Sequence, residues 1–327
     1  MAVMGELVKG QWALSEFDLE SLRSYMPYKE QYLQGSDYLS DMPERPTQGF
    51  EAERFVLYTS LATVFGHASV IFRTLARLER DVAICLVDAH EGPKGWAFLH
   101  TDRGTNDTIN GFDHVYQLYQ RHSHLYDGEA RLPLIWDREL GKVVSNDPIE
   151  ILHFLNLDFI DLEETMDVKD YFGLGGNESM DQWQDLLIKQ LMPAFSACAF
   201  PEGQESYEEN CRRVFEILDK LDNHLENSQH LGETQTWLDW ILFCILIRFD
   251  AVYFDLYRCN LKTLSDYKYL SSFVRDLYQE KHIGATVNVK HIKEHYYKSY
   301  RHLNPDGIVP MSSEINFDYL STDGGLF

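Results

Sequence analysis

A strand-like run that turns directly into a helix, within residues 54–78, restricts the fold of this chain more than any other stretch. Residues 55–58 are of β type, and apolar side chains then recur at helical spacing from Val64 onward. One apolar helix face can therefore lie on the strand that precedes it. The turn between them, residues 60–63, presents free backbone N–H groups and the positive end of the helix dipole. The sequence predicts a β–α unit in which Thr63 occupies a position suited to a thiolate, phosphate or carboxylate.

Length, charge and cysteine usage limit the class of protein. A chain of 327 residues can bury one large or two ordinary hydrophobic cores, and we expect two domains. The net charge of −23 argues against non-specific binding to nucleic acid or to an anionic membrane surface, since both need a positive field. The five cysteines are scattered and include no C-x-x-C pair, which is typical of reduced thiols in the cytosol.

Signal-peptide and membrane-span patterns are not recognisable in the sequence. The N-terminal residues contain acidic side chains and no basic-then-apolar order. The most apolar run, residues 240–247, is much shorter than the roughly 20 residues that a membrane span needs, and we expect it to be a buried helix. These features predict a cytoplasmic protein without nucleic-acid or membrane partners.

The first 50 residues are polar with scattered aromatic side chains, and Pro27, Pro43 and Pro46 interrupt any periodicity. They predict an extended N-terminal arm, residues 1–50, that packs on a core. After the β–α unit, residues 81–87 form a nearly continuous apolar run. Such a run is typical of a parallel strand that is buried on both faces.

Two further β-type runs, residues 131–137 and 142–145, predict a hairpin. Pro133 is tolerable at the start of its strand only where no ladder donor is needed, and an edge strand with a trans proline satisfies that condition. A helix start follows, with Asp147 at the N-cap, Pro148 at the first helical position and Glu150 at the third.

From about residue 175 the pattern is helical. Ser206 and Glu209 have the spacing of a capping box in front of an apolar stripe. Residues 237–257 are apolar nearly all round and predict the central helix of an α-helical domain. Strands alternating with helices, followed by helices alone, indicate an α/β layer and then an α-helical bundle. We expect no metal site, because His122 and His124 have no further ligand at convincing spacing.

Several segments together resemble a known family. Residues 58–67, Tyr-Thr-Ser-Leu-Ala-Thr-Val-Phe-Gly-His, resemble the Tyr-x-Ser-x-x-Cys-Pro-Trp-Ala-His signature of the glutathionyl-hydroquinone reductases, the Xi class of glutathione transferases. Further stretches look like Xi motifs in the right order and at the right distances, at residues 248–253, 259–261, 292–297 and 304–310. The resemblance spans residues 45 to 315.

This resemblance implies the fold and the ligands. It implies a thioredoxin-like, glutathione-binding domain over residues 51–172 and an all-α glutathione-transferase domain over residues 173–327, preceded by the arm. Glutathione is the implied co-substrate, an aromatic or quinone-type electrophile is the implied partner molecule, and a cytosolic homodimer is the implied assembly.

Glutathione contacts are implied at the first domain. The family's Gly-Trp-x-Phe element places Trp96 against glutathione, although on the residues alone Trp96 is equally an aromatic side chain pinned over a loop. Thioredoxin-like folds have a cis proline at Pro133, which implies that Leu134 offers its backbone to the cysteinyl amide. An acid-Ser pair grips the γ-glutamyl group in the family, and Asp147 and Pro148 occupy those two positions.

The electrophile pocket is implied at the second domain. Tyrosines beside the sulfur in the family correspond to Tyr253 and to the pair Tyr296 and Tyr297. Another family tyrosine falls at Ser196, near Cys198, which is either a relocated thiol or a small buried cysteine. The tyrosines either bind an aromatic ligand or only stabilise the α-helical domain.

Two departures from the family pattern decide the expected chemistry. Thr63 stands where the family has its nucleophilic cysteine, with Val64 and Phe65 in place of Pro and Trp, and a threonine cannot form a mixed disulfide. Its hydroxyl can instead donate a hydrogen bond to a glutathione thiolate, or it can merely cap the helix. Pro148 removes both a hydroxyl and an N–H from the γ-glutamyl site. The sequence therefore predicts thiol activation for conjugation, with a catalytically silent binder of an aromatic ligand or partner protein as the alternative.

Overall fold

The computed structural model describes residues 2–17, 38–44, 50–99, 104–158, 168–173 and 178–311. Within these ranges the strands are β1 (Ala2–Val8), β2 (Gln11–Phe17), β3 (Phe55–Thr59), β4 (Val82–Leu86), β5 (Leu134–Asp137) and β6 (Lys142–Ser145). The α-helices are α1 (Val64–Leu75), α2 (Tyr116–His122), α3 (Pro148–Leu157), α4 (Glu178–Gln184), α5 (Met192–Ala199), α6 (Gln204–Leu225), α7 (Trp237–Leu246), α8 (Lys268–Tyr278) and α9 (Val289–Ser299). Shorter turns are π-helical at Asp185–Leu191 and Phe249–Tyr253 and 3₁₀ at Leu264–Asp266 and Gly284–Thr286.

A four-stranded mixed sheet in the order β4-β3-β5-β6 forms the centre of the first domain. β3 is parallel to β4 and antiparallel to β5, and β5 is antiparallel to β6. The connection β3–α1–β4 followed by the β5–β6 hairpin and α3 is the thioredoxin-like arrangement, which confirms the expected fold class. The helix start at Asp147 is also confirmed, because its carboxylate accepts from the N–H groups of Ile149 and Glu150.

Residues of β3 alternate between two hydrophobic cores. Phe55 and Leu57 belong to a large core that continues through α1 and α3 into the helical domain. Val56 and Tyr58 belong to a second core on the opposite face of the sheet, together with Trp136. Successive strand residues point to opposite faces, so a strand that is apolar throughout is buried on both. The central strand thereby holds the turn at its carboxyl end between two packed layers.

The N-terminal residues differ from the expected extended arm, because residues 2–17 form a β hairpin of β1 and β2. Lys9 and Gly10 both have positive φ, 48° and 76°, which is the backbone of a two-residue hairpin turn whose twist matches the flanking strands. Leu7 pairs with Gly128 and attaches the hairpin to the first domain. Ser40 pairs with Ser145, as an extended segment does. Residues 18–37 and 45–49 of the predicted arm lie outside the described residues.

Two predictions about the helical domain are wrong in detail. α6 begins at Gln204 with Gly203 at its N-cap, so Ser206 lies inside the first turn and forms no capping box. The central apolar helix predicted over residues 237–257 ends at Leu246 as α7 and continues only as the π-helical Phe249–Tyr253. The break matters for the site, since it aims the side chain of residue 248 at the first domain.

The helix α7 has the capping box that α6 lacks. The Asp239 carboxylate accepts from the backbone N–H of Thr236 at 2.7 Å and from its hydroxyl at 2.9 Å. In the described part of the chain, every helix is too short or too polar to cross a membrane. The predicted domain limits, residues 1–50, 51–172 and 173–327, stay predictions. Within them, the residues that lie outside the described part of the chain are 1, 18–37, 45–49, 100–103, 159–167, 174–177 and 312–327.

Candidate active site

A cavity lies where the β3–α1 turn and the loops of the first domain face the helical domain. Among the described residues, its lining from the first domain and the N-terminal hairpin is Gly5, Trp12, Thr63, Val64, Phe65, Glu91, Gly95, Trp96, Glu129, Ala130, Arg131, Leu132 and Pro148. Its lining from the helical domain is Met192, Phe195, Tyr253, Tyr257, His295, Tyr296 and Tyr300. The wall therefore combines a helix N-terminus on one side with an aromatic surface on the other.

Thr63 is the N-cap of α1 and is half-buried in this cavity. Its Oγ1 accepts a hydrogen bond from the N–H of Gly66 at 3.1 Å. A hydroxyl has two acceptor lone pairs and one donor hydrogen, so this capping bond still permits donation to a sulfur in the cavity. The two interpretations of Thr63, helix cap and thiol activator, are thus compatible with each other.

Gly66 takes the position of an alanine in the family signature, and the turn explains why it is glycine here. A Cβ at residue 66 would lie 2.3 Å from the carbonyl oxygen of Ser60 and 2.5 Å from Thr63 Oγ1. Both distances are far inside van der Waals contact. The tight turn that presents Thr63 therefore depends on glycine at this position.

The γ-glutamyl position has the departure that the sequence predicts. Pro148 lines the cavity and brings no N–H, while the Asp147 carboxylate is engaged in capping α3 at 2.8 Å and 3.1 Å. Ser145 and Ser40 both donate to Glu150, so the first turn of α3 is held from two sides. In this conformation Pro148 presents no N–H to a γ-glutamyl group, and the Asp147 carboxylate caps α3 through Oδ1.

The backbone contact to glutathione that the resemblance implies at Leu134 stays a prediction. The peptide bond between Leu132 and Pro133 is cis, which answers the question that the residues left open. Leu134 is fully buried in β5 opposite Tyr58 and does not line the cavity. Leu132, immediately before the cis proline, does line it.

Trp96 and Phe65 both line the cavity, and both are at least nine-tenths buried. The Trp96 ring lies against the imidazole of His295 on α9, a residue that sequence analysis did not single out. Phe65, at the start of α1, lies next to the turn and takes the place of the family's tryptophan.

Two of the three predicted tyrosines line the cavity. Tyr253 stacks on Phe195 with ring centroids 4.3 Å apart, and Tyr296 meets Tyr253 edge-to-face at 6.3 Å. Tyr257 and Tyr300 also line the cavity and were missed. Each lies four residues after a predicted tyrosine, so the i, i+4 periodicity of a helix was the signal that could have found them.

Ser196, Cys198 and Tyr297 were expected in the pocket but do not line the cavity. All three are buried, and within the described residues the Ser196 hydroxyl has no hydrogen-bond partner. Cys198 is packed with Cys259, whose thiol pKa is raised by the hydrogen bond between the two and by burial. Burial raises the pKa of Tyr297 to about 12. Their roles at a site stay predictions that this geometry does not favour.

The N-terminal hairpin forms part of the wall, which the sequence did not indicate. The Trp12 indole N–H donates to the carbonyl of Pro93 at 3.1 Å, and its ring stacks on Tyr116 at 4.7 Å. Gly5 lies under that ring, where a Cβ would come within 2.0 Å of it. The hairpin thus seats one tryptophan at the edge of the cavity.

The described residues contain no group of three or more His, Cys, Asp or Glu side chains that could hold a metal ion. The His122 ring lies against the sheet, with Nδ1 3.0 Å from the Val143 carbonyl. All five cysteines are free and buried.

Comparison with known proteins gives the family. The family model "Glutathione S-transferase, C-terminal domain" matches residues 204–276. Glutathionyl-hydroquinone reductase PcpF of Sphingobium chlorophenolicum is 34% identical over 94% of this chain and 96% of its own. The chain belongs to the glutathionyl-hydroquinone reductases and Xi-class glutathione transferases. A second member, glutathionyl-hydroquinone reductase YqjG of Escherichia coli, is 32% identical over 94% of each chain.

Solved structures of the Xi class have the same fold. A Xi-class enzyme of Natrialba magadii superposes with a TM-score of 0.82 at 28% identity, over 96% of this chain and 95% of the other. The glutathione-bound structure of E. coli YqjG gives a TM-score of 0.81 at 28% identity, over 96% and 97%. The fold class and the family inferred from the sequence are therefore confirmed, and a glutathione-related enzyme is supported in general.

Proposed function

We propose that this Xi-class protein is a glutathione transferase in which the Thr63 hydroxyl activates the thiol for attack on an aromatic or quinone-type electrophile, rather than a reductase of glutathionyl-hydroquinones. The observation that carries the proposal is the position of Thr63 at the N-terminus of α1, facing the cavity, with Oγ1 accepting from Gly66. A hydroxyl in that place can donate to a sulfur, whereas it cannot form a mixed disulfide with one.

The reaction balances without a further oxidant or reductant. The thiol proton passes to water, and the thiolate attacks a ring carbon of the quinone to form a C–S bond. The π electron pair of the attacked C=C bond moves toward the carbonyl oxygen, which takes up a proton. The proton on the attacked ring carbon then passes through water to the second carbonyl oxygen, and the ring rearomatises to give a thioether on a hydroquinone. A thiolate is needed for the attack, so groups that favour it increase the rate.

Other residues hold the two substrates. Trp96 and the backbone at Leu132, in place of Leu134, hold the peptide part of the thiol, together with Asp147. Tyr253 and Tyr296 orient the aromatic partner. The stacking of Tyr253 on Phe195 and its edge-to-face contact with Tyr296 support this assignment. The homodimer and the cytoplasmic location stay predictions.

A second candidate function has its own support. Pro148 offers no N–H, and one oxygen of the Asp147 carboxylate is used by the cap of α3. A protein that no longer binds glutathione but keeps an aromatic cavity would bind an aromatic ligand, or a partner protein, without catalysing a reaction.

Two variants at Thr63 separate these functions. Thr63→Val removes the hydroxyl at nearly constant volume, and Thr63→Ser keeps it. With glutathione and an aromatic electrophile that reacts slowly on its own, we expect turnover for wild type and Thr63→Ser and a loss for Thr63→Val. Sulfur density beside Thr63 in crystals soaked with glutathione would agree. Equal rates for wild type and Thr63→Val contradict the proposal, and an occluded cavity favours the silent binder.

A further inference from the structure

The side chain of Arg248 crosses from the helical domain to the turn that carries Thr63. Nε donates to the carbonyl of Ala62 at 2.8 Å, and Nη2 donates to the carbonyls of Leu61 at 2.8 Å and Thr63 at 2.9 Å. Nη1 donates to the carbonyl of Cys244, one turn back along α7. One guanidinium therefore binds three consecutive carbonyls of the β3–α1 turn.

The break after α7 makes this reach possible. The Arg248 N–H bonds to the Ile245 carbonyl, three residues back, whereas the Tyr253 N–H bonds to the Arg248 carbonyl, five residues back. The helix thus tightens before Arg248 and widens after it. Such π-helical turns occur frequently at functional sites.

Arg248 is also a buried charge. Its side chain is 0% exposed, and its hydrogen-bond acceptors are backbone carbonyls. No ion pair among the residues that the structure describes includes it. Dipoles compensate a cation less completely than a carboxylate does, so its positive field extends to nearby groups.

Two buried neighbours of Arg248 show that field. Burial holds the pKa of His67 on α1 well below its usual range, and the Arg248 charge lowers it further. Burial raises the pKa of the Cys244 thiol to about 12, and the Arg248 charge opposes that rise. A positive charge disfavours a protonated imidazole and favours a thiolate, so both effects have the expected sign.

We propose that Arg248 is a positioning residue that fixes residues 61–63 and, through its buried charge, keeps a thiol held at Thr63 in the thiolate form. The charge and the N-terminus of α1 then both favour a negative charge on that sulfur. The functional meaning of this inference rests on the proposed function, but the electrostatic effect does not require that glutathione binds.

A thiol introduced at the site measures the effect directly. Thr63→Cys places a sulfur at the N-cap, and the five native cysteines are buried, so the pH dependence of alkylation by iodoacetamide reports the introduced thiol. In the Thr63→Cys protein, Arg248→Met removes the positive charge. Arg248→Lys keeps a positive charge but cannot donate to all three carbonyls as the guanidinium does. An opposite charge nearby lowers a thiol pKa by about 1–3 units, so we expect Arg248→Met to raise the measured pKa by about one unit, a tenfold change, and Arg248→Lys to raise it by less.

Arg73 provides the matched control. It is a buried arginine that also donates to carbonyls, those of Val82 at 2.6 Å and Glu79 at 3.1 Å, but it lies near the opposite end of α1. Arg73→Met is expected to lower the melting temperature and to leave the thiol pKa unchanged. If Arg248→Met does not fold, the test compares Arg248→Lys with Arg73→Lys. The pKa of the introduced thiol is then expected to rise by about half a unit, a threefold change, in Arg248→Lys and to stay unchanged in Arg73→Lys.

The outcomes are separable. The inference is overturned if Arg248→Met or Arg248→Lys folds and the introduced thiol has the same pKa as in Thr63→Cys alone. That result leaves the proposed function standing. Conversely, a raised thiol pKa in these variants supports the inference even if the wild-type protein shows no glutathione-dependent turnover, a result that overturns only the proposed function.

Discussion

The indole ring of Trp96 stacks on the imidazole ring of His295, with centroids 4.8 Å apart and ring planes 18° from parallel. The same histidine has Nδ1 3.0 Å from the Ala89 carbonyl, and Ser299, one turn further along α9, accepts from the Glu91 N–H at 2.9 Å. Helix α9 therefore holds the loop that carries Trp96. The first-domain side and the helical-domain side of the cavity are therefore parts of one packed unit.

Residue 63 is expected to decide between conjugation and reduction. Since the reductase route needs a protein thiolate, wild type is expected not to release hydroquinone from a glutathionyl-hydroquinone in the presence of glutathione. Thr63→Cys should gain this activity if glutathione binds, and Thr63→Ser should not. Product analysis by chromatography measures the release. Robust release by wild type would show that the thiol-activation proposal is wrong.

Pro148 is expected to limit the affinity for glutathione. Pro148→Ser restores an N–H and a hydroxyl, and a charge-assisted hydrogen bond is worth about 1.5–3 kcal/mol, or roughly 10- to 150-fold in Kd. Calorimetric titration with glutathione is expected to show tighter binding by that factor. Pro201→Ser, outside the cavity lining, is the control for losing a proline. Unchanged binding would mean that the γ-glutamyl group is held elsewhere or that glutathione is not the ligand.

Tyr253 is expected to contribute to ligand binding rather than to stability alone. Tyr253→Phe removes one hydroxyl from the cavity wall, and quinone or hydroquinone affinity, followed by the fluorescence of Trp96, is expected to fall. Tyr207→Phe loses a hydrogen bond to the Arg258 carbonyl far from the cavity and should cost only stability, about 0.5–1.5 kcal/mol. A lowered melting temperature with intact affinity in Tyr253→Phe would assign the tyrosines to structure.

Trp12 tests whether the hairpin is part of the site. Trp12→Ala removes the stack on Tyr116 and the bond to Pro93, each worth about 0.5–1.5 kcal/mol, and opens the wall of the cavity. We expect weaker binding of the aromatic ligand as well as a lower melting temperature. Leu14→Ala, at an exposed position of the same strand, should change neither. If affinity survives Trp12→Ala, the hairpin only covers the domain.

His67 makes stability depend on pH. Its Nε2 lies 2.8 Å from Thr286 Oγ1, whose own proton goes to the Ile283 carbonyl, so Nε2 donates, while Nδ1 is buried with no hydrogen-bond partner among the described residues. Burial holds the pKa of His67 well below its usual range, so below about pH 6.5 the unfolded chain binds a proton that the folded chain does not.

As pH falls from that value, the free energy of unfolding should decrease, by up to about 1.4 kcal/mol per pH unit from this group. His67→Gln should make the decrease shallower in urea unfolding, relative to the exposed substitution His124→Gln. The same slope in both variants would show that His67 takes up a proton in the folded protein.

Local pattern was sufficient where a feature depends on neighbours in the sequence. The β3–α1 unit, the strand at residues 82–86 and the start of α3 at Asp147 follow from strand composition, helical periodicity and N-cap chemistry, which act over a few residues. The motif at residues 58–67 further predicted the family. The hairpin turn at Lys9 and Gly10 was missed, because Lys-Gly is a weaker turn signal than Asn-Gly.

Contacts between distant segments were decided only by the tertiary structure. The sequence alone determined that residue 63 is a threonine at a helix start and that residue 148 has no N–H. It could not show that Arg248, 185 residues away from Thr63, binds the carbonyl of that residue, nor that Trp12 reaches Pro93. Propensity and periodicity describe which face of a helix or strand is apolar. The packing of whole layers determines which polar groups from distant segments form hydrogen bonds with each other. For that reason Tyr297 and Cys198 were placed in the cavity, although it is their helix neighbours Tyr296 and Phe195 that line it.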